Sequence, residues 1–182
     1  MLQVRNGVVD GMAVLFDRYQ VLLFNFFYRQ NGDRAGSEDL VQETFYRILK
    51  YRQSYRPGMS FRTWLYQIAR NVRNDRLSRR PNEVELEEAP VPSVAPVDTV
   101  EGRQQVALLN RALMQLPADK RELLVLSRLQ GLKYEEIAQI LGCEVGTVKV
   151  RVHRALQDLR ERFHRVGAGA AMPRPSEKLG DQ

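Results

Sequence analysis

Between residues 10 and 80, apolar positions recur at helical rather than strand spacing. Leu15, Phe16, Tyr19, Leu22, Leu23 and Phe26 predict one helix, which "NGDRAGS" interrupts. The stretch "SEDLVQETFYRIL" from Ser37 predicts the next, with Ser37 as its N-cap and Val41, Phe45 and Ile48 as its apolar stripe. Its polar stripe is Asp39, Gln42, Glu43 and Tyr46, spaced i, i+3, i+4, i+7. After a second break, "YRQSYRPGMS", Ser60 is placed to cap a third helix, "FRTWLYQIARNVRNDRLSRR". Its inward positions are Phe61, Trp64 or Leu65, Ile68 and Val72. Periodicity resumes from about Gln104 to Arg165, where Val106, Leu109, Leu113 and Leu116 line one face and Pro117 starts a new helix. No repeat and no strand pattern stands out, so the expected class is all-α.

The sharpest local signal is "LKYEEIAQILGCEVGTVKVRVHRALQDLRERF" from Leu132. Tyr134–Leu141 predicts a short helix with Ile137, Ala138 and Leu141 inward. Gly142-Cys143-Glu144 supplies a tight turn, since glycine takes positive φ at no steric cost. A second helix begins near Val145 and turns Val148, Val152, Leu156, Leu159 and Phe163 inward. Thr147, Lys149, Val150, Arg151, His153 and Arg154 point the other way, with Gln157. Two short helices with this turn form a helix-turn-helix, whose second helix enters the DNA major groove. Cys143 reads as a small packing residue of the turn. His153, beside Arg154, is either solvated or a groove contact.

Between the two helical segments the composition changes. Residues 81–101, "PNEVELEEAPVPSVAPVDTVE", hold six acids, four prolines and no lysine or arginine. They read as a flexible acidic linker. The whole chain is +6 at pH 7, so without that −6 segment the rest carries +12. The basic charge therefore sits in the flanking segments, as nucleic-acid binding requires. In "ARNVRNDRLSRR", Arg70, Asn71, Arg73 and Asn74 cluster away from Ile68 and Val72. Asparagine can bond a base edge and arginine a phosphate. The preceding Phe61 and Trp64 suit either a core or a stacking platform for unpaired bases, and both readings stay open. The acidic stripe of Asp39 and Glu43 would be repelled by DNA. It is either a solvated face or a face for protein.

One cysteine and two histidines in 182 residues exclude an internal disulfide and give no metal-ligand spacing. No cofactor and no catalytic residue is expected. There is no glycine-rich phosphate loop and no activated nucleophile, which argues against an enzyme acting on DNA. The N-terminus lacks the apolar stretch of a signal peptide, and "VLLFNFFY" is too short to span a bilayer, so no membrane insertion and a cytoplasmic location are expected.

In this order, the motifs resemble the extracytoplasmic-function (ECF) sigma factors of the sigma-70 family, subunits of bacterial RNA polymerase. "EDLVQETFYRIL" resembles the family's region 2.2, "SFRTWLYQIARN" its regions 2.3 and 2.4, and "LPADKRELLVLSRLQGLKYEEIAQILGCEVGTVKVRVHRAL" its region 4. The resemblance covers about residues 8–163. It implies two small helical domains, region 2 at 8–80 and region 4 at 102–165, with the linker at 81–101 and a disordered tail at 166–182. It implies that Asp39, Leu40, Gln42, Glu43 and Phe45 dock on the β′ coiled coil of core polymerase. Phe61, Trp64, Arg70, Asn71, Arg73 and Asn74 fall on the −10 side, with Asn71 where the family reads a flipped base. Lys149, Val150 and His153 fall where the family reads −35 bases, and Arg151 and Arg154 where it holds phosphates, beside Thr147. Many relatives carry a small hydroxyl residue where this chain has Val150, which offers only an apolar contact such as a thymine methyl. The implied partners are core polymerase (β′ coiled coil and β flap), promoter DNA and an anti-sigma factor. The rival reading is an autonomous helix-turn-helix regulator, which would need a dimer surface and no "EDLVQETF".

Overall fold

A computed structural model describes residues 1–79 and 99–170, with side chains as far as Gly167. Among these residues there are helices and turns and no strand. A short α1 (Leu2–Arg5) precedes α2 (Gly11–Asn31), α3 (Arg34–Lys50) and α4 (Phe61–Arg79). After the linker come α5 (Val100–Met114), α6 (Ala118–Leu124), α7 (Tyr134–Leu141) and α8 (Val145–Ala170).

Helices α2, α3 and α4 pack on one another, and α5, α6 and α7 pack on α8. In the first group Phe26, Phe27, Ile48, Leu65 and Tyr66 are fully buried. The packed unit begins before residue 8, because Val4 of α1 is also buried, against Gly11. α2 stops at Gly32, whose left-handed φ of 73° lets its N–H reach the Tyr28 carbonyl at 2.8 Å.

Helix α3 starts four residues earlier than its sequence suggests. Asp33, not Ser37, is the cap: its carboxylate accepts from the Gly36 N–H at 2.8 Å. Ser37 is buried one turn in, and its hydroxyl donates to the Asp33 carbonyl. Gly36 reads as a breaker but is helical. A Cβ there would stand 1.9 Å from Asp33 Oδ2 and 2.7 Å from Arg76 Nη2, so glycine is needed for close approach. At α4, Ser60 stands in the expected cap position, with the Thr63 N–H 3.5 Å from its hydroxyl.

The linker expected over 81–101 lies outside the described residues except for its end. There, Thr99 caps α5 by accepting from the Gly102 N–H at 3.1 Å, and Val100 and Glu101 form the first turn. The disordered tail expected from 166 is corrected in part: α8 continues to Ala170, and residues 171–182 lie outside the described residues.

The two groups of helices also pack on each other. α4 lies against α7, and α2 against α5, α6 and the wide π-helical turn Val125–Leu129 that follows α6. That turn and Gly131 (φ 64°) aim Gln130 back at the first group. Gln130 Oε1 accepts from the Tyr66 hydroxyl at 2.6 Å, and its Nε2 donates to the Leu22 carbonyl at 3.3 Å. Burial raises the Tyr66 pKa, which keeps the hydroxyl a donor.

Candidate nucleic-acid interface

The helix-turn-helix is built from local rules. Glu136 accepts from the Lys133 N–H at 3.0 Å, which holds the first turn of α7. Gly142 ends it at φ 65°, and the Cys143 N–H returns to the Ala138 carbonyl at 3.1 Å. Ile137, Val148, Val152 and Ala155 are fully buried between the helices, with small Ala138 beside them. Cys143 is a free thiol packed at the edge of the core.

The outer side of α8 presents Lys149, Val150, Arg151, His153 and Arg154, all exposed, with Thr147 half-buried at the first turn. Val150 is 51% exposed, an apolar side chain held out among cations. A basic helix face is thus fixed by an apolar inner face, the arrangement a major groove accepts. On the far side of α8, Asp158 bonds Lys120 of α6 and braces the helix. Lys120 draws the Asp158 carboxyl below the usual carboxylate range.

Helix α4 treats its basic residues differently. Asn71 and Asn74 are exposed. Arg70 donates to the buried Glu122 of α6 at 3.2 Å. Arg73 is only 6% exposed and reaches Asn31 of α2 at 3.3 Å. Burial lowers the Arg73 pKa, with the Glu122 charge opposing that shift. Trp64 is buried, and Phe61 is half-buried in an aromatic cluster with Tyr19, Tyr55 and Trp64. Neither ring is a free platform in this conformation.

The five residues of α3 also divide. Asp39 and Gln42 are exposed, and Glu43 is half-exposed and paired with Arg47 at 2.7 Å. Arg47 also reaches Asp75 of α4 at 2.6 Å, so it fixes Glu43 from behind. Leu40 and Phe45 are 3% and 7% exposed: they pack the core under this face rather than standing on it. Their apolar character on a helix was itself the signal for that placement.

Residues that the periodicity did not single out carry much of the architecture. Arg76 sits within 3.6 Å of both Asp33 and Asp39, tying α4 to the start of α3. Arg121 of α6 donates to the Gln30 carbonyl of α2 at 2.7 Å. The one hint was polar residues such as Asn25 and Gln30 inside an apolar run; both are buried. Among the described residues no group of acids, histidines and cysteine gathers as a metal site would, and no helix is long and apolar enough to cross a membrane.

Comparison with known proteins agrees with this geometry. Residues 15–82 match the family Sigma-70 region 2, and residues 107–159 match Sigma-70, region 4. The chain is 35% identical over 165 residues to RNA polymerase sigma factor CarQ of Myxococcus xanthus, covering 88% of this chain and 94% of that one. It is 30% identical over 174 residues to the ECF RNA polymerase sigma factor SigW of Bacillus subtilis, covering 88% and 93%. Among solved structures, the sigma factor RpoE of Bartonella quintana in complex with the anti-sigma factor NepR is similar. Its TM-score is 0.66 at 29% identity, over 82% of this chain and 98% of that one. Two matched regions in order, on two packed helical groups, place the chain in the ECF sigma factors of bacterial RNA polymerase.

Proposed function

We propose that this sigma factor binds core RNA polymerase through the exposed part of α3, reads the −35 element with α8 and engages the −10 element with α4. In doing so it directs promoter melting and transcription initiation as a cytoplasmic, non-enzymatic subunit. The observation that supports this reading is the separation of two surfaces of opposite charge. Asp39 and Glu43 stand on α3, and Lys149, Arg151 and Arg154 stand on α8. A protein that binds DNA alone has little use for the first.

Within this proposal Asp39, Gln42 and Glu43 contact the β′ coiled coil, while Leu40 and Phe45 shape the helix from beneath. Lys149, Val150 and His153 face base edges, and Arg151 and Arg154 face phosphates. Asn71 and Asn74 engage −10 bases. The β flap finds a seat in an apolar groove of about 510 Å³ between α5 and α8, lined by Val106, Leu109, Leu156, Leu159 and Phe163. An anti-sigma factor is a further partner, as the complex of the Bartonella quintana relative suggests. An autonomous helix-turn-helix regulator is disfavoured, because the family match includes α2, α3 and α4.

The deciding experiment is reconstitution with core polymerase and runoff transcription on a promoter library. The wild-type chain is expected to select one −10/−35 pair. Asp39→Arg with Gln42→Arg is expected to lose holoenzyme assembly while keeping helical content, since both side chains are exposed. Assembly unchanged by that double substitution would remove the docking assignment.

A further inference from the structure

The outer stripe of α8 runs through Gly146, Val150 and His153, spaced i, i+4, i+7, with Lys149 beside it. Gly146 is its first member, and nothing within the described chain requires a glycine there. Its backbone is helical with no positive φ, and a Cβ added to it meets no atom within 4 Å. Gly36 is the opposite case, since a Cβ there meets Asp33 and Arg76. In an exposed helical turn alanine stabilises more than glycine does. The open space beside Gly146 is therefore a clearance on the face that meets a partner. One acid stands next to it. Glu144 precedes α8: its carbonyl accepts from the Val148 N–H at 3.1 Å, and its side chain is exposed. That carboxylate makes no hydrogen bond or ion pair among the described residues. The two acids within α8 are both paired, Asp158 with Lys120 and Glu161 with Arg165. Nor is glutamate among the residues favoured as a cap, whereas α3 and α5 use Asp33 and Thr99, whose side chains accept from the helix at 2.8 and 3.1 Å.

We propose that Glu144 is a specificity-determining residue of the −35 contact: Gly146 lets the first turn of α8 settle close on the base edges, and the Glu144 carboxylate accepts from the N4 amino group of a cytosine. The proposal rests on the reading of α8 as the −35 helix.

The second helix of a helix-turn-helix contacts bases with its N-terminal residues, which places Glu144 and Gly146 at the bases first. In the major groove cytosine presents an amino donor, guanine presents only acceptors, and thymine presents an acceptor and a methyl group. An ionised carboxylate can only accept, so it is satisfied by the first and repelled by the others. Adenine presents an amino donor with an acceptor beside it, a pair that an amide matches and a carboxylate does not. The flanking phosphates sharpen the choice, because a carboxylate near them is repelled and weakens binding wherever no donor holds it. Glu144 thus acts mainly by exclusion, penalising every duplex that lacks the cytosine. This sets it apart from Lys149, Arg151 and Arg154, whose positive charges are drawn to the backbone of any sequence.

Selection by the full chain from a randomised −35 duplex library tests this, with duplex titrations and circular dichroism melts alongside. Glu144→Ala is expected to lose about tenfold of the preference for one C·G pair of the wild-type motif and to keep the other positions, the one governed by Lys149 included. Glu144→Gln is expected to move that position to A·T, with adenine on the strand that carried the cytosine, an outcome that a merely structural role at the helix end does not produce. Gly146→Ala is expected to melt no lower than wild type, yet to bind the selected duplex about tenfold more weakly, the worth of one base contact, and to lose the same C·G preference. The proposal is overturned if both Glu144 variants enrich the wild-type motif, or if that motif holds no C·G pair. It is equally overturned if Glu144→Ala binds every duplex more tightly with its motif unchanged, since the carboxylate would then only repel phosphates. Wild-type binding and preference in Gly146→Ala would remove the close approach on which the contact depends. A wild-type chain that enriches no motif at all would instead strike at the −35 reading itself, so the two failures are distinguishable.

Discussion

Helices α4 and α8 look alike as sequences: each is amphipathic and each is rich in arginine. Their fates differ. α8 turns Lys149, Arg151 and Arg154 out to solvent, whereas α4 commits Arg70, Arg73 and Arg76 to Glu122, Asn31 and Asp33. Cationic residues therefore mark a DNA surface only where no carboxylate of the same chain reaches them first. α8 packs its inner side on α5, α6 and α7 and leaves its outer side to solvent, while α4 lies between α3 and α7 with its arginines in reach of partners on α2, α3 and α6.

The largest test of the contrast lies within α8 itself. Val148→Asp places an unpaired carboxylate at a fully buried site and is expected to cost several kcal/mol, unfolding region 4. Val150→Asp, two residues on and half-exposed, is expected to leave the thermal transition near wild type but abolish −35 binding by repulsion. Circular dichroism melts and duplex titrations separate the two. Similar melts for both variants would mean the assigned faces are wrong.

Next, Arg73→Ala is set against Arg154→Ala. Loss of a buried, hydrogen-bonded guanidinium is expected to cost about 1.5–3 kcal/mol of stability. Loss of the exposed Arg154 is expected to change stability by less than about 0.5 kcal/mol and to weaken DNA binding instead. Urea denaturation checks the first quantity, and equal destabilisation by the pair would erase the distinction drawn between the helices.

On the DNA side, Lys149→Ala is expected to lose about 1–3 kcal/mol and to relax preference at one −35 position. Arg151→Ala is expected to weaken all sequences alike and to reduce the salt slope. Selection from a randomised −35 library sharpens this: identical enriched motifs from the two variants would contradict it.

The smallest effect concerns the brace behind α8. Lys120 holds the Asp158 carboxyl below its ordinary pKa, so its contribution is full above the unfolded carboxylate pKa of about 3.9 and fades as pH falls through the lower folded value. Asp158→Asn is therefore expected to lower the melting temperature slightly at neutral pH. The gap should close in acid; a gap that widens below pH about 4 would reverse the sign.

What the sequence determined by itself is what depends on near neighbours. Gly142 and the apolar spacing on either side set the bounds of α7 and the start of α8, and with them the exposed basic stripe, because caps, turns and periodicity act within a few residues. The acidic stripe of α3 was legible for the same reason. The cap of that helix was not, because Gly36 looks like a break until the Asp33 carboxylate, folded back as the cap, and Arg76, 40 residues on, are seen to close over it. The fate of Arg70 was also out of reach: its partner Glu122 lies 52 residues away across the acidic linker. Phe45 and Trp64 read as contact residues and as core residues alike, Leu40 as a contact residue alone, and only packing puts all three in the core. Local rules tell a helix which side is apolar; only the tertiary structure tells it which charges, brought together from distant parts of the chain, will be neutralised before any partner arrives.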